Sequence, residues 1–341
     1  GPEQLTAALA GARFSATAKA EVVSRASTII VVIGTPIDAH LNPDPSAVLD
    51  AVSQLKPHLR TGQLLVLRST VYPGVTAVIE REVSPLGVEV AFCPERIAEG
   101  KAFTELSSLP QIVSGRSPST VARAAELFSR LTDRIVETTP EEAELAKLFT
   151  NTWRYLKFAA ANQLFMIAND FGVDFERVRH AITFEYPRAD DMPGPGFAAG
   201  PCLLKDTMQL AAFHQNDFTL GHAAMMVNEG LPAYLVRQVE ARRSLDGARV
   251  GVLGMAFKAE SDDTRSSLAY KLRRILRFKA AEVLCTDPYV TSDRTLVPVE
   301  RVLADADVLF IGAPHAVYRE LDLDGRDVVD VWNLLGRGVL T

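Results

Sequence analysis

Cysteine is scarce in this chain. There are three among 341 residues, Cys93, Cys202 and Cys285, odd in number and far apart. That arithmetic excludes a disulfide framework and suits a reducing compartment, the cytoplasm. Histidine is nearly as thin: six residues without metal-ligand spacing, so no metal site is expected. Neither charge sign dominates, since 36 Lys and Arg stand against 42 Asp and Glu with no basic stripe, which leaves nucleic acid no footing. No apolar run reaches the length of a membrane span; the longest, near residues 29–33, is strand-sized, and nothing resembles a signal peptide. The chain opens Gly-Pro-Glu-Gln, and a leading Gly-Pro is a common protease scar on expressed proteins.

What is present reads as a soluble globular mixture, 48% hydrophobic and 23% charged, long enough for two or three domains. Residues 27–38 (STIIVVIGTPID) form a β-branched strand that breaks at Gly34 and Pro36. A helical pattern, the strand QLLVLRST, a second helix and the strand VEVAFCPE follow, which predicts βαβ units on a parallel sheet. The pattern then changes. Thr139, Pro140 and Glu142 carry a helix start, and apolar residues recur at helical spacing to Phe171, with Gly172 as the stop. Further helix is expected over 175–183 and 204–243. From Ala248 strands and helices alternate again, and ADVLFIGAPHAV echoes STIIVVIGTPID. The expected architecture is α/β: two Rossmann-like domains, 1–138 and 246–341, joined by a long central helix within a helical region, 139–245.

Several residues could carry chemistry. Cys202 follows the run GPGFAAGP and precedes LLKDTMQLAAF, so it falls at a helix N-terminus, where dipole and free amides favour a thiolate. Lys205 adds positive charge nearby. A buried small hydrophobe is the bland alternative for a lone cysteine. Lys147 and Asn151 are four apart on one face of the long helix, pointing into an interior or cleft unless the lysine merely snorkels. Thr35 and Pro36, Thr70, and Glu95 with Glu99 end three strands, where parallel α/β sheets build their sites. Lys258 lies past another strand, followed by ESDD and Arg265.

Taken in order, VIGTPID, RSTVYPG, CPERIAEG, AKLFTNTW, GPGFAAGPCLLKD, GMAFKAESDDTR and DVWNLLGRG resemble the nucleotide-sugar 6-dehydrogenases, the UDP-glucose, UDP-N-acetylhexosamine and GDP-mannose dehydrogenase family, over essentially the whole chain. The resemblance implies an NAD domain, a nucleotide-sugar domain and a central helix that builds a homodimer. It implies oxidation of a sugar 6-hydroxyl to a carboxylate with two NAD. Cys202 would capture the aldehyde as a thiohemiacetal that becomes a thioester. Lys147 would stabilise charge on the 6-oxygen with help from Asn151. Glu95 would be the base or water-activating carboxylate, with Glu99 nearby. Thr70 and Asp206 would position a water and the lysine. Lys258 would contact the substrate, Arg265 the cofactor, and Arg188 a sugar-nucleotide across a subunit interface. Phe197 and Gly200, with the small residues around them, would give the sugar room to approach the sulfur.

The departure is at the start. The family begins with a strand and a G-x-G-x-x-G turn for the pyrophosphate, and none occurs before Ser27. About 60 residues, two βα units at ~30 each, are expected to precede this sequence, and without them NAD should bind poorly. Two rivals stand beside this reading. A β-hydroxyacid dehydrogenase of the 6-phosphogluconate type also uses a Lys/Asn pair but transfers one hydride; a nucleotide-sugar-binding module would not turn over. As for the sugar, STVYPG and Tyr186-Pro187-Arg188 resemble the N-acetylhexosamine branch and FAAGPCLLKD the glucose branch. The expectation is a UDP-linked hexose of either kind, with TDP- and GDP-sugars still open.

Overall fold

Four consecutive apolar residues, Leu64–Leu67, are buried without exception, the mark of a strand covered on both faces of a parallel sheet. The computed structural model describes Thr6, Gly11, residues 14–35, Asp44 and residues 46–341; Pro36, expected at a strand end, lies outside the described residues. Within them the chain forms two compact units, Gly1–Lys147 and Leu148–Thr341.

In the first unit, β1 (Thr28–Val31), β2 (Leu64–Leu67) and β3 (Glu89–Phe92) form a parallel sheet in that order. The register aligns Val31, Leu67 and Phe92, so the three carboxyl ends are level. The crossover helices Ser46–Leu55 and Val75–Val83 bury Val48, Val52, Val75, Ile79 and Val83 against this sheet. A second parallel pair, β4 (Gln111–Ser114) and β5 (Ile135–Thr138), is joined by the helix Pro118–Ser129, whose Ala124 and Phe128 pack with Val66 and Ala91.

The central helix, Pro140–Asp170, has 31 residues, about 46 Å at 1.5 Å each. Its start is a reciprocal capping box: Thr139 N–H donates to Glu142 Oε2 at 2.8 Å and Glu142 N–H to Thr139 Oγ1 at 3.4 Å. Its end is a Schellman turn, with Gly172 at φ 80°, Gly172 N–H donating to Asn169 O and Val173 N–H to Ala168 O. The helix expected over 204–243 is two helices, Leu203–Phe213 and Thr219–Arg242. Between them Gln215 and Asn216 take left-handed backbone at φ 53° and 61°, which reverses the chain.

The sheet of the second unit has strand order β7-β6-β8-β9, all parallel: β6 (Arg249–Leu253), β7 (Glu282–Thr286), β8 (Val308–Ile311) and β9 (Val328–Val329). Leu268–Leu276 covers one face, burying Leu268, Leu272 and Leu276 against Val250 and Phe310. The last strand is shorter than RDVVDVWN suggested, because Asp330 leaves the ladder to accept the amides of Trp332 and Leu335.

Candidate active site

Level strand ends put Thr35, Thr70 and Glu95 just past β1, β2 and β3. Thr35 is buried and Thr70 half-buried, and Ser69 Oγ accepts the Ile33 amide at 2.7 Å, tying the first two ends together. Glu95 is held from two sides. Buried Arg68 pairs with Oε2, while Oε1 accepts the amides of Arg96 (2.7 Å) and Ile97 (2.8 Å). Burial pushes the Glu95 carboxyl up, but the Arg68 hydrogen bond and charge and the two amides outweigh it, and the net shift is downward. Glu99 is exposed in the turn that follows.

Sequence reasoning missed Glu144. Its carboxylate is 1% exposed and accepts the amides of Gly74 (2.7 Å) and Thr76 (2.9 Å). Gly74, at φ 97°, gives the helix Val75–Val83 no side-chain cap of its own, so Glu144 supplies the anion that a helix N-terminus favours. It thereby fixes the turn after Thr70 to the central helix one turn before Lys147. Its spacing in E-x-x-K-x-x-x-N, on one helix face with Lys147 and Asn151, was the available signal.

In the second unit Cys202 is exposed and forms the N-cap of Leu203–Phe213. Behind it Asp206 is 1% exposed, and Asn151 Nδ2 donates to its Oδ2 at 2.5 Å. Lys205 Nζ lies 2.6 Å from Asp206 Oδ1; this contact is ionic, without the alignment of a hydrogen bond. The Lys205 charge is therefore turned to Asp206. The helix carrying the thiol is thus anchored to the central helix through Asn151. Lys147 is half-buried one turn earlier on that helix.

Residues 193–199 line a cavity of about 450 Å3 together with Arg154, Phe158, Phe257, Lys258 and Trp332. Phe197 is buried and meets Trp332 edge to face at 5.9 Å. The small residues do not simply leave room for a ligand. A Cβ on Gly196 would fall 2.3 Å from Trp332 Cζ3, and one on Gly200 2.7 Å from the Phe257 ring, so two aromatic rings already occupy those spaces. Only at Gly194, with nothing within 4 Å of such a Cβ, is the space open. The space that a side chain at Gly200 would take is thus held by the Phe257 ring.

Lys258 Nζ sits 5.3 Å from the Phe257 ring centroid at the start of a loop that is pinned from outside. Fully buried His315 accepts the Glu260 amide at Nδ1 (3.0 Å), so Nε2 carries the proton and donates to Asp287 Oδ2 (3.0 Å). Burial pushes Asp287 up, but His315 and the amides of Ala256, Met255 and Tyr289 bring it down to about 2. Arg265 is exposed, its guanidinium paired with Asp263 at 2.6 Å. Arg188 is exposed and bonded to Tyr186. Among the described residues no group of three or more His, Cys, Asp or Glu could hold a metal, and no helix is long and apolar enough to cross a membrane.

Parallel α/β sheets come before and after a helical middle in chain order, an arrangement that places ligands at the carboxyl ends of the strands, and Cys202 stands exposed at a helix start. The chain belongs to the UDP-glucose/GDP-mannose dehydrogenase family: the NAD binding domain matches residues 2–132, the central domain 141–230 and the UDP binding domain 251–337. It is 31% identical to UDP-N-acetyl-D-mannosamine dehydrogenase of Pyrococcus horikoshii, over 96% of this chain and 85% of that protein. The solved structure of UDP-D-ManNAc dehydrogenase from that organism superposes with a TM-score of 0.87 at 28% identity, covering 94% of this chain and 79% of that one. A UDP-glucose dehydrogenase structure from Pyrobaculum islandicum gives 0.88 at 27% identity, covering 96% and 82%. The chain is accordingly an NAD-dependent nucleotide-sugar dehydrogenase. The level strand ends with Thr35, Thr70 and Glu95 fit the place where such a sheet receives a dinucleotide, although the sequence contains no G-x-G-x-x-G turn for the pyrophosphate.

Proposed function

We propose that this chain oxidises the 6-hydroxyl of a UDP-linked hexose to the carboxylate. UDP-N-acetyl-D-mannosamine, the substrate in the name of the Pyrococcus relative, is the first to try and UDP-glucose the second. The observation that carries this reading is Cys202, exposed at a helix start with the buried Asn151–Asp206 pair behind it.

NAD, when bound, supplies hydride acceptance, two per sugar. Loss of a hydride from C6 and of the 6-hydroxyl proton gives the aldehyde. Cys202 Sγ adds to its carbonyl carbon, the oxygen taking up a proton, to give a thiohemiacetal, and loss of the remaining C6 hydride and the hydroxyl proton converts this to a thioester. Attack by water then releases the carboxylic acid and frees the thiol. Lys147 stabilises negative charge on the 6-oxygen with Asn151 beside it on the helix. Asp206 holds Asn151 and Lys205 in place. Glu95, kept ionised at neutral pH by Arg68, activates the water, with Thr70 ordering it. Phe197, Gly200, Lys205, Lys258, Glu99 and Arg188 serve the substrate side, and Thr35, Pro36, Thr70, Glu95 and Arg265 the cofactor side. Function divides along the chain at about residues 138 and 245.

The central helix exposes Phe149, Trp153, Leu164 and Ile167 at helical spacing, with exposed Phe171 just past its end. Such an apolar stripe supports a homodimer through that helix, which light scattering would read as twice the 37.1 kDa chain mass. Three free thiols, two of them buried, suit the cytoplasm.

The test is the number of NADH formed per nucleotide sugar, followed with mass spectrometry of the product. Two NADH and a uronic acid, both abolished by Cys202→Ser, support the reading. One NADH would support the β-hydroxyacid type instead, and UDP binding without turnover a binding module.

A further inference from the structure

Buried amide side chains in the second unit form a set that the reaction does not use directly. Asn162 of the central helix and Asn228 of Thr219–Arg242 are both 0% exposed. Asn162 Oδ1 accepts the Gly196 amide at 2.9 Å, and its Nδ2 donates to Gly196 O at 3.0 Å and to Asn228 Oδ1 at 2.9 Å. Asn228 Nδ2 in turn donates to Tyr155 O at 3.2 Å. One side chain thus pairs both peptide groups of a single loop residue, as a neighbouring strand would. On the other side of Gly196 stands Trp332, itself fixed by Nε1 donating to Ile311 O at 3.0 Å. Gly196 has φ 151°, and from it residues 197–201 lead to Cys202 past Gly200, where Phe257 fills the Cβ space.

We infer that Asn162, backed by Asn228, is the positioning residue of the cysteine loop: by gripping Gly196 against Trp332 it sets where the cavity wall ends and where the Cys202 thiol stands. Loops rich in glycine lose most freedom on ordering. A grip on one residue in the middle of this one removes that freedom before any ligand arrives. The inference rests on Cys202 being the reacting thiol, but its test does not need turnover.

Cys93 and Cys285 are buried, so iodoacetamide reports on Cys202 alone, located by mass spectrometry of the full chain. Asn162→Leu keeps the branched shape and removes all three hydrogen bonds. Asn162→Asp keeps the acceptor for Gly196 N–H and loses the amide donors. The control is Asn169→Leu, the same change at another buried asparagine of the same helix, whose bonds go to Tyr234 and Thr341 instead. The expected result is at least a threefold change in alkylation rate for Asn162→Leu, a smaller change for Asn162→Asp and none for Asn169→Leu. With UDP-N-acetyl-D-mannosamine as substrate, KM should rise at least tenfold for Asn162→Leu and stay put for the control. Equal effects at 162 and 169, or none at 162, overturn the inference. If Asn162→Leu does not fold, Asn162→Asp against Asn169→Leu decides by the same comparison. An altered alkylation rate at 162 alone, in a protein that forms no acid, would sustain the grip and defeat the catalytic reading.

Discussion

Arg68→Met tests the electrostatics at the end of β2. The Arg68 side chain is 7% exposed, pairs with Glu95, donates to Cys93 O at 3.3 Å and Gln111 Oε1 at 3.4 Å, and lies 4.6 Å from the Phe128 ring centroid. Methionine keeps the packing on Phe128 and removes the charge. Breaking a fully buried ion pair costs about 3–5 kcal/mol, whereas a surface pair is worth about 0–1. Glu95 is 33% exposed, so the loss at pH 7 should fall between, at about 2–3 kcal/mol. Acid should narrow it. In the wild type the Glu95 pKa lies below its unfolded value, so its contribution is complete above that value and is lost as pH falls through the folded one. In the variant the Arg68 hydrogen bond and charge are gone and only the Arg96 and Ile97 amides and the Arg96 charge oppose burial, so the carboxyl pKa rises relative to the wild type. The two stability curves therefore separate most at neutral pH and approach each other near pH 4. Urea unfolding followed by circular dichroism at pH 7 and pH 4, in a double-mutant cycle with Glu95→Gln, measures both effects. A difference that ignores pH, or a coupling under about 0.5 kcal/mol, would show that Arg68 acts by packing alone.

Two further perturbations follow from the same geometry. Gly200→Ala must place a Cβ 2.7 Å from the Phe257 ring on a backbone at φ 99°, and should cost about 2–4 kcal/mol by thermal denaturation. Gly194→Ala, with nothing within 4 Å, should cost under about 1; equal effects would refute the ring-against-glycine account. Glu144→Gln replaces one of the two acceptor oxygens at the start of Val75–Val83 by a donor facing an N–H, for a loss of about 1–3 kcal/mol in urea unfolding. A neutral result would mean the turn after Thr70 holds without it.

The elements that could be read from the sequence are those whose reasons are local. The capping box of Thr139 and Glu142 spans four residues, the stop at Gly172 is one residue, and Cys202 stands immediately before the helix it caps. β4 and β5 escaped because QIVS and IVET carry two apolar residues each, where β2 (LLVL) is apolar throughout. The helix expected over 204–243 ran together because nothing in His214-Gln215-Asn216-Asp217 forbids helix as firmly as proline would; left-handed backbone at two non-glycine residues breaks it.

The site divides along the same line. Asn151 and Asp206 could be named because each stands in a motif with chemistry of its own, but their bond spans 55 positions and is invisible in either motif. Glu144 and Asn162 lie even deeper. A glutamate and an asparagine on a helix read as ordinary until the turn or loop that each one holds is seen, 68 to 70 and 34 positions away. The glycines add a further point. GPGFAAGP suggested flexibility and space around a thiol, whereas Gly196 and Gly200 are the two places where the loop is closed by a ring. Glycine lets backbone come within contact of Trp332 and Phe257, and that contact, with the Asn162 amide opposite, makes the approach to Cys202 rigid. The nucleophile proposed here, holding a half-oxidised sugar between two hydride transfers, would gain from such an approach, because a loop ordered in advance leaves less entropy to be lost when a ligand arrives.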